Sequence, residues 1–436
     1  MSAISVSITE WSATGPDQCK ELKGFTFGDD NKSRSIAQSL SRSGMLDVQE
    51  LVQGLCIRST SFVGTLDLGP VRVTISPKIN GMPLFHLIKY AYGLRDLKLY
   101  EQTHFDTNNF PFQEILLHQL EAEAQELISR GVKRDYIAKN ERLSSPKGRV
   151  NFTEMVMQGG IVRAEMPCRY HQRSEDCLHN QVLLAGLKYG ARLTDDLHLR
   201  TRLRRKAALL EQSVSDINLG SDSIRRVRRQ SSRLTRAYNP ALEIIKVLVD
   251  SQGTSLSSDY EAIHLPGFLF DMNRFFQQLL SRVFSDWLES YQTEDERVIR
   301  GMIDYVPGHN PRNRRSPLPR PDIVVMKDQK TVAILDAKYR DLWETSLPRE
   351  MLYQLAMYAL SGEADSVSAI LYPTMDMNAR EARLEIREPH GAFRGNVVLR
   401  PVHLLELAEL VTHRETESVR QSKRDYACKL AFGDMS

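Results

Sequence analysis

The sequence predicts a multidomain α+β protein, and three observations predict it. The chain has 436 residues, more than one compact core usually holds. Hydrophobic residues make up 41% and charged residues 26%, the balance of ordinary soluble globular domains. The patterning changes along the chain: alternating apolar positions come first, helical periodicities dominate the middle, and a helix, strand, strand, helix, strand succession follows. The expected division is a β-rich domain over residues 1–110, a mostly helical region over 111–258, and an α/β domain with a central mixed sheet over 259–436.

In the first segment Val71, Val73 and Ile75 alternate with polar residues, and Gly64, Gly69-Pro70 and Pro77 punctuate the strands. A helix near Pro83–Tyr92 interrupts them. Leu116, Leu120, Leu127 and Ile128 fall on one side of a helix expected from Phe112 to Ser129, with Gly131 beyond its end. Residues 140–175 read as irregular and β segments, and 178–250 as mostly helical. Ser251 to Ser258 has the composition of a linker. Beyond it, Asp271 is placed to cap a helix bearing Phe275, Phe276, Leu279, Leu280, Val283, Phe284 and Trp287, aromatics that suit a core. Strands are expected near 297–306, 322–326 and 331–337, then a helix from near Pro348 and a strand over Val367–Tyr372.

The chemistry concentrates in the hairpin. Two apolar runs flank Lys327-Asp328-Gln329-Lys330. Asp322 opens the first strand, and Asp336 and Lys338 close the second on one face, because strand side chains alternate. Two carboxylates at one sheet end can hold Mg²⁺, a hard cation that takes oxygen ligands and keeps several waters. A lysine beside it can orient water and offset phosphate charge, the needs of phosphodiester hydrolysis. On the following helix Gln354 and Tyr358 stand one turn apart.

Pro321-Asp322 followed by Asp336-Ala337-Lys338 resembles the PD-(D/E)xK nuclease signature, and Gln354-x-x-x-Tyr358 resembles its RecB-like branch. The chain also resembles the McrC family, the endonuclease subunits of McrBC-type modification-dependent restriction systems. The similarity runs in patches: Gly64 to Lys78, Leu84 to Ala91, Gly148-Arg149-Val150, His171 to Leu187, and Phe270 to Phe276. It implies an Mg²⁺-dependent (or Mn²⁺-dependent) nuclease with Asp322, Asp336, Lys338, Gln354 and Tyr358 at its catalytic site. The family places a glutamate where this chain has Gln277, so Gln277 would join Asp322 and Asp336 at the metal without adding charge, or Asp304 or Glu289 would substitute. The resemblance further implies a separate partner, a McrB-like AAA+ GTPase hexamer, docked by the amino-terminal portion, and modified double-stranded DNA as substrate. Two other readings stay open: an adaptor with a degenerate nuclease site, and a free-standing nuclease.

The net charge is only +3, but basic residues cluster. One cluster spans Arg200 to Lys206. In a second, Arg225, Arg229, Arg233 and Arg236 would share one face of a continuous helix. Arg312, Arg314, Arg315 and Arg320 precede Asp322 and are expected to contact DNA. No Gly-x-x-x-x-Gly-Lys-Ser/Thr loop occurs, so the chain is not expected to hydrolyse nucleotide itself. Cys168-x-x-His171 and Cys177-x-His179 fit no common zinc spacing. His104, His118 and His171 lack a nucleophile at recognisable spacing. Five scattered cysteines, no signal-like start and no long apolar run point to a cytoplasmic protein without membrane contact.

Overall fold

The computed structural model describes residues 4–79, 81–94, 112–157, 165–251, 267–361, 367–388 and 391–433. The fold is mixed α+β, as expected. The boundaries near 110 and 258, most of the linker at 251–258, and His104 lie outside the described residues. As far as they are described, Met1–Asp96 and Ser255–Ser436 cluster as one compact unit and Phe112–Thr254 as another.

In the first unit, a four-stranded sheet runs in the order Ile4–Thr9, Val71–Ser76, Phe62–Leu68, Gly267–Asp271. The last strand arrives from far along the chain and pairs antiparallel, with Leu269 opposite Gly64. Leu66, Leu68, Val71, Val73 and Ile75 bury their side chains, as the alternation requires. The amino-terminal segment also contains a helix, Asn31–Ser43, not anticipated from the strand-like reading. It carries its own signals. Asp30 accepts from Ser33 N at its start, Ile36, Ala37 and Leu40 form its buried stripe, and Gly44 ends it in the left-handed region.

Asp271 caps the helix Met272–Trp287, its carboxylate accepting from Asn273 N and Arg274 N. Phe275, Phe276, Leu279, Leu280, Val283 and Phe284 are buried along that helix. A six-stranded mixed sheet follows, in the order Gln292–Asp295, Ile323–Lys327, Lys330–Ala337, Val367–Thr374, Phe393–His403, Ala382–Arg387. Its first hairpin turns through Asp328 and Gln329, both at positive φ, the geometry of a two-residue turn matched to strand twist. The parallel pairing of Lys330–Ala337 with Val367–Thr374 puts Asp336 beside Ile370. The helix Arg349–Ser361 covers the sheet, with Leu355 and Tyr358 packed against Ile334, Ile370, Tyr372 and Val397.

One strand expectation fails. Residues 297–306 form no strand; the edge strand stops at Asp295. Glu296 takes φ 48° and its N–H donates to Asp322 O, so the backbone leaves the sheet there.

In the second unit the helices Phe112–Arg130, Leu178–Leu193, Leu197–Glu211, Ser221–Arg229 and Asn239–Asp250 accompany a three-stranded sheet ordered Asp135–Leu143, Met166–Ser174, Arg149–Val150. The single arginine face does not form. The helix holding Arg225 ends at Arg229, and Arg233 and Arg236 sit on a separate 3₁₀ turn, Arg233–Tyr238. Ser232 N donates to Thr235 Oγ1 and starts that turn afresh. All five cysteines are free thiols. Among the described residues no helix is long and apolar enough to cross a membrane.

Candidate active site

The sheet brings Asp322, Asp336 and Lys338 together. Asp322 stands just before its strand, Asp336 near the end of the next, and the two strands are paired in antiparallel register with Ile323 opposite Leu335. Lys338 Nζ lies 2.9 Å from Asp336 Oδ2 and 3.8 Å from Asp322 Oδ2. The lysine backbone is held in turn, its N–H donating to Leu371 O at 3.0 Å. Asp322 is fixed from two sides: Ala337 N donates to Oδ2 at 2.8 Å, and Gln277 Nε2 donates to Oδ1 at 3.3 Å.

Electrostatics follow from burial. Asp322 is lifted above the usual carboxylate range, chiefly by desolvation and then by the negative charge of Asp336. Burial works against the Lys338 ammonium, but Asp336 and Asp322 outweigh it and leave its pKa raised. Asp336 is 1% exposed, and its Oδ1 has no hydrogen-bond partner among the described residues. A buried carboxylate oxygen without a donor is costly unless something positive meets it. Two adjoining carboxylates, one with an unclaimed oxygen, fit a divalent cation that takes one or two protein carboxylates and otherwise water and phosphate oxygens.

Tyr358 is buried next to this cluster. Burial pushes its phenol up, and the Asp336 and Asp322 charges add to the rise. Gln354 donates to the Tyr358 hydroxyl at 3.3 Å. Gln277 meets Asp322 through its amide nitrogen, which supports the carboxylate and adds no anionic ligand. Glu289 and Asp304 are exposed, and among the described residues no group of three His, Cys, Asp or Glu side chains is arranged to hold a metal. Arg312, Arg314, Arg315 and Arg320 are all exposed on the irregular segment leading into Asp322, and among the described residues none has a carboxylate partner.

Sequence reasoning missed the residues behind Lys338. Tyr339 is almost fully buried; its hydroxyl donates to Glu10 Oε1 at 2.9 Å, and its ring meets Phe276 edge-on. Trp11 Nε1 donates to Tyr339 O at 3.1 Å. The only local signal was a carboxylate directly after an alternating strand, which by itself points nowhere.

The chain carrying this cluster is a restriction-system component. It belongs to the family described as McrBC 5-methylcytosine restriction system component, which matches residues 57–373. Its fold is similar to that of a chain in the Thermococcus gammatolerans assembly of McrB AAA+ hexamers with bound McrC, with a TM-score of 0.62 and 16% identity over 98% of this chain and 100% of that one. A chain of the Thermococcus gammatolerans McrBC complex gives a TM-score of 0.48 and 18% identity, over 66% of this chain and 89% of that one. No curated protein sequence matches it.

Proposed function

We propose that this chain is the DNA-cleaving subunit of a McrBC-like restriction complex, a PD-(D/E)xK endonuclease that uses Mg²⁺ to hydrolyse phosphodiesters in modified, methylated foreign DNA. The observation that carries this is the convergence of Asp322, Asp336 and Lys338 at one sheet end, with the unclaimed Asp336 oxygen. Family membership and the similarity of fold support it.

Asp322 and Asp336 would hold the cation, which when bound lowers the pKa of water and neutralises charge gathering on phosphate. The Ala337 amide and the Gln277 side chain keep Asp322 turned toward the site. Lys338, held in its charged state by the two carboxylates, positions the attacking water and stabilises the added negative charge on the phosphate. Gln354 and Tyr358 brace that wall of the site. Arg312, Arg314, Arg315 and Arg320 supply phosphate contacts that guide the backbone toward Asp322. The partner is a separate AAA+ GTPase hexamer of the McrB kind, whose turnover the chain stimulates. Gln277 favours one other reading, an adaptor with a weakened metal site that activates the motor without cutting.

Reconstitution with the motor decides. Asp336→Ala and Lys338→Ala should abolish Mg²⁺-dependent cleavage while GTP turnover and assembly persist. Cleavage retained in both variants would remove the assignment. A wild-type chain that stimulates GTP turnover but never cuts would establish the adaptor.

A further inference from the structure

The helix Ser221–Arg229 turns Ser223, Ile224 and Val227 inward and leaves Arg225, Arg226, Arg228 and Arg229 exposed. Arg228 pairs with Glu243 at 2.9 Å. Arg225, Arg226 and Arg229 have no carboxylate partner among the described residues, nor do Arg233 and Arg236 on the exposed turn that follows. Several other cations of the same unit pair with acids, Arg134 with Glu175, Lys188 with Glu211 and Asp216, and Lys206 with Glu121, while the exposed Arg204 and Arg205 also have no carboxylate partner among the described residues. Arg225 and Arg229 stand four apart on one helix, where like charges repel and weaken the helix. Arg226, Arg228 and Arg229 stand in the last turn, where the helix dipole offsets part of that repulsion. An open groove of about 410 Å³ runs along the same helix, lined by Arg225, Arg228, Arg229 and Lys246, with Asp250 as its acidic residue.

We propose that this arginine surface is a second DNA-binding site, carried by the unit that does not hold the cleavage residues, one that grips the phosphate backbone without regard to sequence. It rests on the nuclease reading, because it takes DNA as the substrate. The chemistry favours nucleic acid. Guanidinium forks match phosphate oxygens two at a time. The nine-residue helix is about 13 Å long, a length of duplex that carries about eight phosphates, enough to face every arginine of the patch.

The test is a salt titration of duplex DNA binding by the full chain, followed by anisotropy of a labelled mixed-sequence duplex in EDTA. With no divalent cation present, the result does not depend on whether the chain cuts. The triple variant R225Q/R226Q/R229Q changes only exposed side chains, and circular dichroism checks its fold. We expect affinity to fall at least about tenfold, and the slope of log K against log salt to shrink by about 2 to 3, close to 0.9 per lost phosphate contact. Unchanged affinity and slope would overturn the proposal. So would intact DNA binding with weakened association to the AAA+ partner, which would make the patch a protein-docking surface. Loss of cleavage in Lys338→Ala is scored separately, so the nuclease reading and this surface can fail independently.

Discussion

The Tyr339 hydroxyl donates to Glu10 Oε1 at 2.9 Å, tying the end of the first strand to the residue after Lys338. Lys78 N donates to the same oxygen at 2.7 Å, while Glu10 Oε2 is buried without a partner among the described residues. Desolvation dominates those bonds and lifts the Glu10 carboxyl from 4.5 to about 7. Between those values the folded chain holds a proton that the unfolded chain releases. Glu10 therefore costs nothing below about pH 4.5, and stability falls as pH rises toward 7, by on the order of 3 kcal/mol in all. Glu10→Gln keeps an oxygen for both donors and removes the charge. Thermal unfolding at steps from pH 5 to 8 should show the variant with a flatter profile and the greater stability at pH 8. Parallel profiles would mean that Glu10 is not the group responsible.

Gln277 offers Asp322 an N–H where a carboxylate would offer the cation an oxygen. Gln277→Glu adds one negative charge beside Asp322, and ligand charge tunes affinity for hard cations. Half-maximal cleavage should then need about three to ten times less Mg²⁺. The same or a higher requirement would show that the amide is not what limits metal binding.

The parts read correctly from sequence are those whose causes are local. Asp322, Asp336 and Lys338 share one hairpin, so strand alternation and a two-residue turn suffice to bring them together. Asp271 caps its own helix, and the apolar stripe from Phe275 to Phe284 is a single period. The helix Asn31–Ser43 carries the same kind of local signals, but the strand pattern on either side of it dominates the segment. The failed strand at 297–306 turns on Glu296, whose positive φ no neighbour announces. What could not be read is pairing at long range. Nothing near Glu10 points to Tyr339, and nothing near Gly267–Asp271 says that this strand completes a sheet begun by Ile4–Thr9.

The metal binding proposed at the Asp336 oxygen is measurable without any cutting. A ligand that binds only the folded state stabilises it by about 2.7 kcal/mol at a hundredfold excess over its Kd. Mg²⁺ should therefore raise the Tm of the wild-type chain, and Asp336→Asn should lose that response. EDTA should reverse the rise. An equal rise in both proteins would place the bound cation somewhere else.

Gly64 sits in the Phe62–Leu68 strand at φ 134°, and a Cβ there would lie 2.1 Å from Phe268 O on the neighbouring strand. That neighbour leads through Asp271 into the helix carrying Gln277, so pushing it away disturbs the support of Asp322 as well. Gly24 is a fair control in the same unit, at φ 69° with nothing within 4 Å of its virtual Cβ. Gly24→Ala pays only for the left-handed backbone, about 1 kcal/mol. Gly64→Ala adds a backbone clash that must separate two paired strands, and should cost about 3 kcal/mol or more. Urea unfolding of the two variants compares them directly, and Gly64→Ala should also raise the Mg²⁺ needed for cleavage. Equal losses would mean that the Gly267–Asp271 strand is not packed against Gly64, and the link from the amino-terminal sheet to Asp322 would fall with it.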